Sequence, residues 1–279
     1  MSAWLPGSSP PTRPFATVPE SVGRSLFPLL VVTALRDEAV AFCRGVGSLC
    51  RPMSFVQAER GLRRGSLTGG TFLPVVYLGP GPQGVKNLER LISGGEKGPI
   101  LFCGFAGGLS PELKSGEVLV ASLVMRPGEK AGSVPVPDFL PPRYRKGTFV
   151  TVDRPVASSR EKAVLRAQTG GDAVDMESAG WLSCAERHGI EAWTVRVVSD
   201  AAEESLPAEA MSFVDDRGET SLGTVLGTIF LHPAVLISLL RLFPGIRRAH
   251  AALGDLGRTI SGQAGSRIPS DKGFRRGSD

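Results

Sequence analysis

Residues 98–109, GPILFCGFAGGL, decide the fold class of this chain of 279 residues. An apolar run of strand length is followed directly by a turn in which Gly104, Gly107 and Gly108 let the backbone pass close to other groups. Other short runs rich in Val and Leu have the same form, and we interpret them all as buried strands. They are FPLLVVTAL (27–35), FLPVVYLG (72–79), GEVLVASLV (116–124) and EAWTVRVVS (191–199).

Helical segments lie between several of these strands. They are DEAVAFCRGV (37–46), GVKNLERLIS (84–93) and ESAGWLSCAERHG (177–189), and the last closes at Gly189 as helices often do. The alternation predicts an α/β fold, a three-layer αβα sandwich around a mixed, mainly parallel central sheet. Ligands of such sheets bind beyond the carboxyl ends of the strands, so polar residues at those ends are candidates for a functional site.

The folded part is predicted to be one domain over residues 27–260. Residues 1–26 are rich in Pro and Ser and lack the basic start and apolar run of a secretory signal, so we expect a disordered leader and a cytoplasmic protein. The polar, Gly-rich residues 261–279 are expected to form a disordered tail.

Residues 222–260 form an apolar C-terminal extension that Pro233 and Pro244 interrupt, which leaves stretches too short to cross a bilayer. We expect two helices there. One interpretation packs them on the core or on a second subunit of a homo-oligomer. The other places them against a membrane surface, with Arg241, Arg247 and Arg248 near anionic headgroups.

Charge and cysteine content exclude several functional classes. The net charge of +5 is modest and much of the basic excess lies in the C-terminal segment, which does not indicate a nucleic-acid partner. The four cysteines lack the spacing of a zinc site or the density of a disulfide framework, and the histidines are dispersed. We therefore expect reduced core thiols at Cys43, Cys50, Cys103 and Cys184, and no metal.

Polar residues follow the first and last predicted strands. Glu38 comes after the first, and Ser199 and Asp200 come after the last. Each acid also has a purely structural interpretation, because Glu38 would complement a helix dipole and Asp200 would suit an N-cap. The glycines of residues 104–108 would likewise suit a tight turn.

The stretch AVDMESAGW (173–181) places Asp175 and Glu177 on either side of Met176, among apolar and small residues. Burying a carboxylate without a partner costs several kcal/mol or more. These acids must therefore be hydrogen-bonded, paired with a cation or functional.

Four segments resemble the purine nucleoside phosphorylase and methylthioadenosine/adenosylhomocysteine nucleosidase superfamily. They are ALRDEA (34–39), FAGGL (105–109), VDMESAG (174–180) and RVVSDAAEE (196–204), in this order. VDMES, LPAEAM (206–211) and the stretch 232–253 further resemble its hopanoid biosynthesis-associated phosphorylase branch, whose members act on adenosylhopane. The resemblance implies N-glycosidic cleavage of an adenosine-type nucleoside with a lipid tail, releasing adenine without a cofactor, with inorganic phosphate as co-substrate if the enzyme is a phosphorylase.

The resemblance also implies roles for three acids. Cleavage builds positive charge on the ribose and negative charge on the purine, so anionic groups belong near the sugar and an acid near the base. Glu177 would accept hydrogen bonds from the ribose 2′ and 3′ hydroxyls, Asp200 would protonate or hydrogen-bond adenine N7, and Glu38 would activate water. Whether Asp175 belongs to the site stays open. The implied substrate-binding residues are Phe105, Ala106, Gly107, Met176, Arg196 and Ser199.

The chain departs from the family in three ways. Phe105 replaces the serine of the nucleosidases, which makes the wall more apolar, and residues 154–156 supply no aromatic ring to stack on the purine. The Gly-Asp-Pro phosphate signature is also missing near the first strand. Hydrolysis by water therefore stays an alternative to phosphorolysis. The alternatives are a methylthioadenosine/adenosylhomocysteine nucleosidase and a catalytically silent member that binds a nucleoside or lipid.

Overall fold

The computed structural model describes residues 29–62, 73–95, 98–206 and 233–266. The predicted leader, most of LPAEAM and the first part of the predicted extension lie outside these residues.

The strands, in chain order, are β1 (Leu30–Thr33), β2 (Pro52–Ser54), β3 (Val75–Tyr77), β4 (Ile100–Gly108), β5 (Val118–Met125), β6 (Gly132–Ser133), β7 (Arg145–Thr151), β8 (Ala173–Asp175) and β9 (Ala192–Asp200). The helices are α1 (Arg36–Val46), α2 (Phe55–Leu62), α3 (Gly81–Ser93), α4 (Ser159–Thr169), α5 (Ser178–Arg187) and α6 (Pro233–Ser266). All five predicted strands and the three helices predicted between them are present.

The strands form a single sheet of mixed direction. Its order is β2-β3-β1-β4-β8-β7-β5-β6, and most neighbours are parallel. Strand β9 pairs with β4 in parallel and with β5 in antiparallel direction. Because β8 also pairs with the end of β4, the strands β4, β9, β5, β7 and β8 close into a ring. The carboxyl ends of β4 and β9 meet at one rim of this ring, and the amino end of the antiparallel strand β8 lies beside them.

Helices cover both faces of the sheet, as a three-layer sandwich requires. On one face, α3 contributes Leu88 and Leu91 and α5 contributes Trp181 to a core formed with the sheet. On the other face, Phe42 of α1 and Leu253 of α6 pack in a second core. The predicted fold class is confirmed.

Helices α1 and α6 touch backbone to backbone through glycines. A Cβ atom at Gly45 would lie 1.6 Å from the carbonyl oxygen of Gly254, and one at Gly257 would lie 2.3 Å from that of Phe42. Side chains at these positions would force the helices apart, since interiors are close-packed. The C-terminal helix therefore fixes the position of α1.

Helix α6 differs from its prediction. It runs without interruption from Pro233 to Ser266, so Pro244 lies inside it and the helix extends past the predicted boundary at residue 260. Proline removes one helical hydrogen bond, and burial of Leu253 and Leu256 against the core favours the continuous helix despite that loss. Among the described residues, no helix combines the length and hydropathy needed to cross a membrane.

Two of the cysteines also differ from expectation. Cys43 at the end of α1 and Cys50 form a disulfide, whereas Cys103 and Cys184 are free and buried. The short turn Gly47–Leu49 reverses the chain after α1 and brings the two Cα atoms to 5.2 Å. The prediction of reduced thiols is wrong for this pair.

Candidate active site

Arg196 lies at the centre of a buried charged cluster. It projects from β9 with only 1% of its surface exposed. Its Nε atom donates a hydrogen bond of 2.9 Å to Asp175 Oδ2, and Nη2 forms an ion pair of 2.8 Å with the same oxygen. Nη2 also donates a hydrogen bond of 3.5 Å to Glu177 Oε2. Burial lowers the pKa of Arg196, but the carboxylates around it outweigh burial and raise that pKa.

Asp175 forms hydrogen bonds to β7, to β9 and to the start of α5. Besides Arg196, it accepts a hydrogen bond of 2.8 Å from the Thr151 hydroxyl on β7. It also accepts the backbone N–H and the hydroxyl of Ser178 at the start of α5. All of these contacts are internal, so the structure supports a structural role for Asp175.

Glu177 occupies the N-cap position of α5, and Met176 separates it from the end of β8. It is 6% exposed, and its Oε1 atom accepts the backbone N–H of Gly81 at 3.0 Å. Burial raises the pKa of this carboxyl to about 7, against the opposing effect of Arg196. Met176 lies beside the same turn, because its Cε atom is 3.6 Å from where a Cβ of Gly81 would be.

Glu38 is held by three backbone donors. Its Oε2 atom accepts hydrogen bonds from the backbone N–H groups of Ala34 at 3.0 Å and Leu35 at 2.9 Å. These two donors at the start of α1 thereby gain hydrogen-bond partners. Its Oε1 atom accepts the N–H of Phe105 at 2.7 Å, across from β1 to β4. Burial raises the pKa of Glu38, and the nearby Arg196 guanidinium opposes that rise.

Gly104 permits the close approach of these charges. A Cβ atom there would lie 2.5 Å from Arg196 Nη1 and 2.7 Å from Glu38 Oε1. Strand β4 can therefore pass beside both groups only with glycine at this position.

Asp200 ends strand β9 beside a bulge. Val198 pairs with Ala106 but Asp200 pairs with Gly107, so Ser199 is the extra residue. Bulges re-aim side chains at the ends of strands. The Ser199 hydroxyl bonds to Asp200 Oδ1 and lies 3.2 Å from the Ala106 carbonyl oxygen. A Cβ at Gly107 would be 3.4 Å from Asp200 Oδ2.

Lys162 of α4 is the main residue that sequence reasoning missed. It is completely buried, and its ammonium group forms an ion pair with Asp200 Oδ2. The same Nζ atom donates to the carbonyl oxygens of Ala201 at 2.6 Å and Glu204 at 2.8 Å. A signal for α4 existed, because Ser158 and Glu161 form a capping box at its start.

The predicted site residues thus fall into two groups. One group consists of Arg196, Glu177 and Glu38, and the other consists of Asp200, Ser199, Ala106 and Gly107. Phe105 differs from these, because its ring packs in the core shared by α1 and α6, 5.0 Å from the ring of His250. Only its backbone N–H reaches Glu38.

A model of the phosphorylase superfamily matches residues 123–230 of the chain. The matched segment contains Glu177, Arg196 and Asp200, and Glu38 precedes it. No curated protein matches the chain in sequence.

Solved structures share the fold. A futalosine hydrolase mutant of Helicobacter pylori strain 26695 has a TM-score of 0.53 and 16% identity, covering 84% of this chain and 98% of that one. A methylthioadenosine/adenosylhomocysteine nucleosidase of Colwellia psychrerythraea 34H in complex with adenine has a TM-score of 0.53 and 16% identity. The match covers 85% of this chain and 95% of that one. The S. pneumoniae nucleosidase with a transition-state inhibitor has a TM-score of 0.53 and 13% identity. The match covers 83% of this chain and 99% of that one.

Proposed function

We propose that the protein cleaves the N-glycosidic bond of an adenosine-type nucleoside and releases adenine. The observation that carries this proposal is the buried carboxyl group of Glu177 at the strand ends, whose pKa burial raises to about 7. A buried carboxyl group with a shifted pKa beside the charged side chains of Arg196 and Glu38 is a candidate functional group. The match to the phosphorylase superfamily includes this residue.

The arrangement suits the charges that develop during the reaction. Glu177 would hold the ribose hydroxyls and stabilise the positive charge of the sugar, with Met176 packed below the ring. Asp200 would hydrogen-bond or protonate the departing base, and Lys162 holds its carboxyl group in place. Glu38 would activate the attacking water, because it is buried with a raised pKa beside Arg196.

We further propose adenosylhopane as the substrate. The support is the sequence resemblance of VDMES, LPAEAM and the stretch 232–253 to the hopanoid-associated branch. Burying a long apolar tail favours binding by about 25 cal/mol per Å² before entropy costs. Arg247 and Arg248 are exposed on α6 and would favour contact with an anionic membrane surface.

The direct test is adenine release by the purified protein from adenosine, methylthioadenosine and adenosines with long apolar 5′ substituents. We expect release from all of them, with kcat/KM rising with the length of the apolar tail. Binding of these nucleosides without adenine release would instead identify a catalytically silent member.

A second candidate is a methylthioadenosine/adenosylhomocysteine nucleosidase. It is favoured by the fold shared with solved nucleosidases. A clear preference for methylthioadenosine over long-tailed adenosines in the same assay would select this candidate.

Replacing Glu177 with Gln should lower kcat/KM for a ribonucleoside about 10- to 100-fold, because a hydrogen bond to a charged group is worth about 1.5–3 kcal/mol. The loss should be much smaller for the 2′-deoxynucleoside, which lacks one hydroxyl partner. The ionised carboxylate is the better acceptor, and burial raises its pKa to about 7. Activity of the wild type should therefore rise with pH through this value, and Glu177→Gln should lack that rise. Equal losses on both nucleosides would reduce Glu177 to a structural acid.

A further inference from the structure

Three side chains of different chemistry meet on the layer of α3 and α5, outside the candidate active site. Glu89 comes from α3, and Cys184 and His188 come from α5 and its C-terminal cap. The Cys184 thiol donates to Glu89 Oε2 at 3.2 Å, and His188 Nε2 lies 2.6 Å from Glu89 Oε1. The sulfur, the ring nitrogen and a carboxylate oxygen all lie within 4.8 Å of one another.

We propose that Glu89, Cys184 and His188 bind a Zn²⁺ ion. Zn²⁺ accepts sulfur, imidazole and carboxylate ligands together, whereas Ca²⁺ and Mg²⁺ prefer oxygen alone. Zinc bonds of about 2.0–2.3 Å in a tetrahedron hold the ligand atoms about 3.5 Å apart. The ligand atoms here lie within 4.8 Å of one another, so side-chain rotations that move them by about 1 Å would complete the geometry. A water molecule takes the fourth position.

The surroundings allow an ion to enter. Cys184 is buried, but the side chains of His188 and Glu89 are 26% and 41% exposed. The second oxygen of Glu89 remains available to Arg187, whose Nη2 atom lies 2.8 Å away. That contact orients the carboxylate, as partners of metal ligands commonly do.

The proton of the Cys184 thiol must leave when the ion binds. Burial and the neighbouring Glu89 raise the pKa of Cys184 to about 12, so the metal-free protein carries a thiol. The S–H bond breaks, the sulfur–zinc bond forms and the proton goes to solvent. Affinity for the ion should therefore increase with pH.

The position of this group has a structural effect. Helices α3 and α5 begin at the Gly81 to Glu177 hydrogen bond. Glu89 lies two turns into α3, and Cys184 and His188 lie near the end of α5. A bound ion would replace the hydrogen bonds of Glu89 with Cys184 and His188 by coordination bonds at a point where the two helices already meet.

Spectroscopic titration of the full-length protein with Co²⁺, which replaces Zn²⁺, tests the proposal. We expect one equivalent to produce a thiolate-to-cobalt charge-transfer band that Zn²⁺ abolishes, and a proton to be released. Cys184→Ser should lose the band. The matched control is Cys103→Ser, which changes the other free buried thiol and should keep it.

Thermal unfolding shows whether a variant that loses the band is still folded. Zn²⁺ should raise the melting temperature of the wild type and of Cys103→Ser, and His188→Gln, which leaves the thiol intact, should weaken binding at least tenfold. The proposal is overturned if Co²⁺ gives no thiolate band in the folded wild type, or if the band survives in folded Cys184→Ser.

Discussion

Asp200→Asn is expected to slow adenine release by about 10² to 10⁴-fold, because a positioned acid at the leaving base typically contributes that much. Asparagine keeps the shape and an acceptor for Lys162 but cannot supply a proton. Steady-state rates with adenosine and with the preferred tailed nucleoside measure the loss. Asp153→Asn, which removes an exposed carboxylate with a surface ion pair, should change the rate little.

The leaving group offers a second measurement. A riboside whose leaving group departs as a stable anion, such as 4-nitrophenolate, needs no proton, so Asp200→Asn should retain most of its rate on it. Lys162 loses its buried counter-charge in this variant, which can destabilise the fold. The double variant Asp200→Asn/Lys162→Met removes both charges and serves if the single variant unfolds. Unchanged adenine release by either folded variant would contradict the role of Asp200.

Glu38→Gln should reduce adenine release in phosphate-free buffer by a similar factor of about 10² to 10⁴, because water then lacks its base. Gln can still accept the N–H groups of Ala34 and Leu35, but its amide would face the N–H of Phe105. Some of the loss will therefore be structural. Asp37→Asn, an exposed acid in the same turn, is the matched control.

Phosphate separates the two possible reactions. A hydrolase should release adenine and free ribose product at the same rate with or without phosphate. Strict dependence on phosphate, with a ribose 1-phosphate product, would refute the water-activating role of Glu38 and assign the enzyme to phosphorolysis. Thermal unfolding of both variants distinguishes a chemical loss from a folding loss.

The apolar strands were predictable because they are buried on both sides, which gives continuous runs such as residues 100–103. Strand β7 was missed because it begins with Arg145 and Lys146, which are exposed at the rim. Strand β8 has only the residues Ala173–Asp175, too few for a periodic pattern. Closure of the ring depends on pairing between distant strands, and local patterns carry no information on it.

The acids of the site were predictable by type, but their partners were not. The stretch 173–181 demanded a partner for Asp175, and the structure supplies Arg196 from a strand about twenty residues later. Lys162 could not be placed, because a lone lysine on a helix is ordinarily a surface residue. Cys184 and His188 are four residues apart on one helix, and only the fold brings Glu89 to them.

The glycine contact between α1 and α6 has a consequence for the order in which the protein becomes active during synthesis. Gly45 leaves the ribosome roughly two hundred residues before Gly254, a delay of about 10 to 40 s at typical rates of translation. Until α6 arrives, the core that contains Phe42 lacks the apolar side chains that α6 contributes, such as Leu253. Glu38 lies on α1, so the carboxylate that we propose to activate water is fixed in its final position only after α6 has been synthesised.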